Sequence, residues 1–366
     1  MEEKQEKQQE IKEKRNMLSD RNRIIALVFV LFILYVPIAT LLKGAFSGAG
    51  TPSGEIESTK KGQTAFVQLQ NQITAFTKQM VFRKELITFN TELTLTMSGR
   101  NYIESTQVLL GKDDWLFYKT EADGFPLRDY MGTNCYTPEQ LAELAANLTA
   151  IRDVLEQERG IQFVIMNCPN KEQVYAEYMP ETVVRISEES RADQVAAYIH
   201  ANTDLTYVYL LDALLEAKEE YKIYYQTDTH WNQVGAFVGM QAVFEQLYGN
   251  GAAPDTVSFV VNQENFAGDL ANIVGLTEEY AIDENYIFDK STADPAQHRQ
   301  ETILIIGDSF SDFLRVIAEA YYEEVYAVRA GEFSMELLDQ YDPDIVIWES
   351  VERYMDVFRS ANLLEQ

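Results

Sequence analysis

Three histidines occur in 366 residues, and one of them, His230, follows an aspartate by two positions in Thr227-Asp228-Thr229-His230-Trp231. An Asp-x-His pair can hold one imidazole nitrogen on a carboxylate and leave the other free to take a proton, which is the base-and-orienter half of a nucleophilic triad. The pair can also ligate a metal, but ligation needs at least one more donor, and no cysteine or second histidine lies nearby in sequence. A matching hydroxyl stands at Ser309. The apolar run 302–306 leads into Gly307-Asp308-Ser309-Phe310-Ser311, and residues 311–321 read as a helix. At such a strand-to-helix turn a serine hydroxyl is exposed, and the backbone N–H groups of the new helix, that of Phe310 among them, face an oxyanion formed on it. A lone Gly-Asp-Ser is also ordinary turn and N-cap chemistry. The Asp-x-His stands before one helix and the strand-borne Gly-Asp-Ser before another, so a triad of Ser309, His230 and Asp228, with no metal, explains both most economically. His200 ends a helix beside Asn202, and His298 lies in a polar loop.

Bringing these groups together requires strand ends. Apolar runs at 162–167, 206–210, 302–306, 323–328 and 344–348 alternate with helical patterns at 138–157, 188–200, 232–247, 311–321 and 334–340. Short continuous apolar strands alternating with helices predict an α/β fold of three layers, with helices on both faces of a parallel sheet. Such sheets bind ligands beyond the carboxyl ends of their strands. On that rule Asn167 ends the first strand and Asn170 and Lys171 follow it, as hydrogen-bond donors at the rim of the site or as a simple turn. Glu349, Glu352 and Arg353 follow the last strand, where a Glu–Arg pair either shapes the pocket or holds the C-terminal helix. Gly235, Ala236 and Gly239 let the helix after His230 pack closely, and Trp115 and Trp231 read as packing residues.

The chain before residue 62 is of another kind. Residues 24–42, IIALVFVLFILYVPIATLL, carry no charge, and as a helix they would reach about 28 Å, close to a bilayer's hydrocarbon thickness. Seven Lys/Arg precede the span and Lys43 alone closely follows it, which predicts a cytoplasmic tail at 1–23, a single transmembrane helix at 24–42 and an extracytoplasmic remainder. A cleaved signal peptide is the alternative, although its apolar region is ordinarily shorter. The Gly/Ser/Thr-rich residues 43–61 read as a flexible stalk, and 62–98 as a helical lead-in to a domain at 62–366. Residues 1–43 hold eight Lys/Arg against six Asp/Glu, so with a chain total of −28 the exported part carries −30. That charge excludes nucleic acid as a partner and disfavours polyanions held by broad electrostatics. Cys135 and Cys168 are candidates for one disulfide in an oxidising compartment.

Several segments together resemble a known family. GDSF at 307–310, DTHW at 228–231, GKDDWLFY at 111–118, PNKEQVYAEYMP at 169–180, GDLANIVGL at 268–276 and DIVIWESVERY at 344–354 are similar to the SGNH-hydrolase-like domain of the alginate O-acetylation proteins, the AlgJ/AlgX type. The resemblance covers roughly residues 80–360. It implies an SGNH-hydrolase-like sheet and an acetyltransferase that acts on an exported polysaccharide without a cofactor, usually downstream of a membrane-bound O-acyltransferase. Carried over residue by residue, it implies Ser309 as nucleophile, His230 as base and Asp228 as the orienting acid. The order Asp-x-His before Gly-Asp-Ser reverses that of ordinary SGNH esterases and matches the alginate-type branch. A net charge of −30 sits poorly with a polyanionic acceptor. The competing functions are a carbohydrate acetylesterase with the same triad and a non-catalytic assembly subunit of an O-acyltransferase system.

Overall fold

A strand with apolar side chains on both faces is buried only if helices cover both sides, and five such strands set the architecture. The computed structural model describes residues 82–249, 251–254, 257–262 and 264–365. Its strands are β1 (Val108–Leu110), β2 (Leu116–Tyr118), β3 (Gln162–Cys168), β4 (Tyr207–Tyr209), β5 (Phe259–Val261), β6 (Tyr286–Phe288), β7 (Arg299–Gly307), β8 (Tyr322–Arg329) and β9 (Ile345–Val351). β3, β4, β7, β8 and β9 are the five anticipated runs and form one sheet in the order β4-β3-β9-β7-β8, with every pairing parallel. β1–β2 and β5–β6 are antiparallel pairs that the sequence reading did not anticipate.

The main helices are α1 (Arg83–Met97), α2 (Pro138–Arg152), α3 (Arg191–Asn202), α4 (Gln233–Tyr248), α5 (Asp269–Val274), α6 (Ser311–Ala318) and α7 (Met335–Tyr341). Because side chains alternate across a strand, the sheet separates two cores. Val164, Met166, Ile303, Ile305, Ile345 and Ile347 pack with α4 and α6 on one face. Phe163, Ile165, Leu304, Ile306, Val346 and Trp348 pack with α2, α3 and α7 on the other. Fully burying each such side chain contributes about 1.5–3 kcal/mol, so the two cores hold the strand ends in fixed relative positions. α4 lies close to the sheet because its glycines permit it: a Cβ at Gly239 would lie 2.7 Å from Met166 Cε.

The chain divides into two compact units, Met1–Asn90 and Thr91–Gln366. The first is described only from Phe82, the residue before α1. The second contains the sheet, both cores and a satellite core in which Leu95, Ile103 and Leu116 meet Leu270, Ala271 and Val274. The expected tail at 1–23, membrane span at 24–42 and stalk at 43–61, and the lead-in up to residue 81, lie outside the described residues. Among the described residues no helix is long and apolar enough to cross a membrane. The two candidate cysteines do not pair: Cys135 is exposed and free, while Cys168 is free and buried at the end of β3.

Candidate active site

Ser309 stands at the carboxyl end of β7, on a turn that Asp308 builds. The Asp308 N–H donates to Glu349 Oε2 (3.1 Å), its Oδ2 accepts from Val351 N–H (2.8 Å) and its Oδ1 accepts from Phe310 N–H (2.9 Å). One aspartate therefore ties the end of β7 to the end of β9 and closes the turn that lifts Ser309 out of the sheet. Ser311 Oγ donates to Asp308 O (2.6 Å), and Arg329, at the end of β8, donates to the same carbonyl and to Ser311 Oγ (3.2 Å). Gly307 must lack a side chain, since a Cβ there would lie 2.5 Å from Glu349 Oε2.

The histidine loop approaches from the α4 side. Asn232 Oδ1 caps α4 by accepting from Val234 N–H (2.9 Å) and Gly235 N–H (3.2 Å), which fixes where residues 227–231 end. The buried Trp231 donates its Nε1–H to Phe310 O (3.2 Å), joining this loop to the serine turn. His230 then lies over the Phe310 ring at a centroid separation of 5.3 Å. Its Nε2 is 2.7 Å from Ser309 Oγ and its Nδ1 is 2.6 Å from Asp228 Oδ1. Asp228 Oδ1 also accepts from the backbone N–H of His230 (3.0 Å). An imidazole so placed carries its proton on Nδ1 and turns the Nε2 lone pair toward the serine hydroxyl. Burial acts to raise the Asp228 pKa, but the hydrogen bond and charge of His230 and the N–H groups of Asp269 and His230 outweigh it and hold the carboxyl below its usual range.

Three further groups fix the loop from below and beside. Lys171 donates to the carbonyls of Tyr225 (3.2 Å), Gln226 (3.2 Å) and Asp228 (2.6 Å). Burial lowers its pKa to about 8, against the pull of the Glu172, Asp283, Asp269 and Asp228 carboxylates. The buried Asp283 accepts from Gln226 N–H (2.5 Å), Thr227 N–H (2.8 Å) and Thr227 Oγ1–H (2.5 Å). Asp269, the first residue of α5, accepts from Thr229 N–H (2.8 Å) and Thr229 Oγ1–H (2.6 Å), and its own N–H donates to Asp228 Oδ2 (2.8 Å).

The structure thus brings Ser309, His230 and Asp228 into one hydrogen-bonded chain and arranges the other sequence candidates differently. Lys171 is buried beneath the loop instead of lining the rim. Asn167 is buried, with Nδ2 donating to Ser350 O (2.9 Å) and Oδ1 left without a hydrogen-bond partner. Asn170 is buried too, donating its N–H to Glu352 Oε2 (3.0 Å) and accepting from Arg353 N–H (3.3 Å). Arg353 is buried with its guanidinium 5.4 Å from the Phe310 ring centroid and 4.9 Å from that of Tyr354, so it supports the turn from behind. The Phe310 N–H already serves Asp308, which leaves it no free hydrogen for an oxyanion. Glu349 lies inside β9, not after it.

Asp269 and Asp283 were not singled out from the sequence. They lie 39 and 53 residues beyond His230, and the one signal was the Gly-Asp that opens GDLANIVGL. Asp228, His230 and Asp269 each bring one donor atom to within 4.8 Å of the others, a third group that chain spacing did not offer for a metal. The 2.6 Å Nδ1–Oδ1 contact and the two Thr229 bonds to Asp269 already engage those groups, and the cluster reads as hydrogen-bonded support of the imidazole.

A five-stranded parallel sheet with Ser309 at the end of β7, met there by the Asp228–His230 loop before α4, has the arrangement of an SGNH-hydrolase-like protein. The family model described as "SGNH hydrolase-like domain, acetyltransferase AlgX" matches residues 108–352, and the chain belongs to that family. Among curated relatives, "Probable alginate O-acetylase AlgJ" of Pseudomonas putida is 27% identical over 283 residues, covering 68% of this chain and 70% of that protein. Its counterpart in Pseudomonas syringae pv. tomato is 24% identical over 280 residues, covering 68% and 69%. Among solved structures, a DHHW family protein from Eubacterium siraeum aligns with a TM-score of 0.51 at 14% identity, covering 72% of this chain and 98% of that one, a likeness of fold alone.

Proposed function

We propose that the protein is a membrane-anchored, extracytoplasmic O-acetyltransferase that moves acetyl groups onto an exported polysaccharide through an acetyl-Ser309 intermediate. The observation that carries this reading is the continuous chain Asp228 Oδ1–His230 Nδ1 (2.6 Å) and His230 Nε2–Ser309 Oγ (2.7 Å) at the mouth of a parallel sheet. In the first half-reaction Ser309 Oγ bonds to the acetyl carbonyl carbon and passes its proton to His230 Nε2. The donor oxygen leaves with that proton. In the second half, a sugar hydroxyl gives its proton to Nε2 and attacks the acetyl-serine. Ser309 Oγ leaves and recovers the proton, so the enzyme ends unchanged. Asp228 stabilises the imidazolium in both halves. The names of the AlgJ relatives support transfer over simple hydrolysis.

The acceptor in this reading is a neutral or amino-sugar polymer held by hydrogen bonds and stacking. The cations around the strand ends have partners: Lys171 holds three carbonyls, Lys222 lies beside Gln226 and Asp283, Arg329 binds Asp312, and Arg315 pairs with Glu319. With a net charge of −28 on the whole chain, little remains to attract a uronate chain. The acetyl donor in this reading is a membrane-bound O-acyltransferase partner, reached because residues 24–42 hold the domain at the outer face with the N-terminus in the cytoplasm. The test is turnover of a chromogenic acetyl ester with and without oligosaccharide acceptors, followed by mass spectrometry of the sugars. Acetylated sugar supports transfer, hydrolysis that no acceptor diverts marks an esterase, and no turnover of any kind marks an assembly subunit.

A further inference from the structure

Two carboxylates face the same side of one imidazole. Asp228 Oδ1 lies 2.6 Å from His230 Nδ1, and Asp269 Oδ2 lies 3.8 Å from it. The second carboxylate is held by design of the loop. Its two oxygens accept both the N–H and the hydroxyl of Thr229, the residue between Asp228 and His230, and its own N–H holds Asp228 Oδ2. Both oxygens of Asp228 are consequently engaged, one on His230 and one on Asp269, so the carboxylate cannot turn without breaking a bond. Gly268 makes this approach feasible. A Cβ at that position would lie 2.4–2.6 Å from Asp228 Cβ, Cα and N, and the Gly268 N–H meets Thr227 Oγ1 at 2.8 Å.

We infer that Asp269 is a second positioning carboxylate of this site, aligning Asp228 through Thr229 and its own N–H and stabilising the His230 imidazolium by its charge. The inference rests on the Ser309–His230–Asp228 reading. An opposite charge within about 4–6 Å raises a base's proton affinity by roughly 1–3 pKa units. Asp269 has a side chain 39% exposed, and solvent screening puts its share at the low end of that range. Burial and the charge of Asp228 push the Asp269 carboxyl itself above its usual range, and the hydrogen bonds from Thr229 and the charge of His230 act the other way. Thr229 Oγ1 also lies 3.3 Å from His230 Nδ1, and the charged groups nearby have other partners. Lys171 sits on the Asp228 carbonyl, Asp283 lies under Thr227, Ser309 faces Nε2, and Arg353 lies behind the Phe310 ring.

The experiment is hydrolysis of 4-nitrophenyl acetate across pH by the wild-type protein and by Asp269→Asn, Thr229→Val and Ser309→Ala. Asp269→Asn keeps an acceptor for the Thr229 N–H and removes the charge. Its kcat/KM should fall about tenfold, and the midpoint of the ascending pH limb should fall by about one unit, the tenfold loss of proton affinity that corresponds to 1.36 kcal/mol. An unmoved midpoint, however large the loss of rate or melting temperature, would reduce Asp269 to structural support and overturn the inference. Should Asp269→Asn not fold, Thr229→Val gives a second reading. It frees Asp269 Oδ2 to swing toward solvent, and the midpoint should fall by a few tenths of a unit; no movement there overturns the inference equally. Full activity in Ser309→Ala would instead remove the triad reading beneath it, so the two failures are distinguishable.

Discussion

Gly268→Ala tests how tightly the acid of the site is built, because the clash it introduces is with backbone and cannot be relieved by rotating a flexible side chain. The new methyl would sit 2.4 Å from Asp228 Cβ and 2.6 Å from both its Cα and N, whereas ordinary contact begins at 3.4 Å. The Asp228 loop or the start of α5 must therefore retreat by about 1 Å. Gly268 has φ −75°, so alanine suffers no backbone strain and the effect is purely steric. Overpacking of this kind costs about 1–3 kcal/mol of stability. The functional cost should be larger in proportion, since a 1 Å displacement lengthens the Asp269 N–H to Asp228 Oδ2 bond beyond hydrogen-bond range, and misplacement on this scale can lower a rate about 10²-fold. The assay is kcat/KM for ester hydrolysis beside a denaturant titration. A variant with wild-type turnover would refute the claim that this contact sets the geometry of Asp228.

Other variants probe the surroundings of the site. Lys171→Met leaves the carbonyls of Tyr225, Gln226 and Asp228 without their shared donor, and should cost about 2–4 kcal/mol in a chemical-denaturation midpoint while weakening turnover. Burial, with the charge of Asp129, pushes Glu352 up to about 8, so the folded protein holds a proton that the unfolded chain releases near 4.5. That contribution is complete below about 4.5 and is lost as pH rises through about 8. Melting temperature should therefore decline across this window, and Glu352→Gln should flatten the decline. In transfer assays neutral oligosaccharides should outperform uronic-acid chains at low and high salt alike. A uronate preference that fades as salt is added would reveal a basic groove and contradict the acceptor reading.

The sheet was legible because its five strands are apolar on both faces, a pattern that survives without knowledge of their neighbours. β1–β2 and β5–β6 were not, since three residues such as VLL or FVV carry no periodicity to read. The site divides in the same way. Ser309, His230 and Asp228 stood out because each lies within a few residues of a helix start, and the structure joins the three in one hydrogen-bonded chain. Lys171 read as a rim donor or a turn residue because its position follows a strand end, but chain position does not fix where a long side chain turns. Here it turns inward to three carbonyls of the histidine loop. Asp269 escaped because its meaning is created by a crossing of two segments 39 residues apart. Compartment made Cys135 and Cys168 candidates for a disulfide but spacing could not show whether they meet, and the fold buries one while leaving the other at the surface.

The account turns on Ser309 as the atom that carries the acetyl group. The most direct measurement is peptide mass spectrometry of protein quenched soon after exposure to an acetyl ester, with Ser309→Ala processed in parallel. The account predicts an acetyl group on the Ser309 peptide that accumulates, then disappears when an acceptor sugar is supplied, and is missing in Ser309→Ala together with turnover. An acetyl group on another residue, or undiminished turnover by Ser309→Ala, would contradict it.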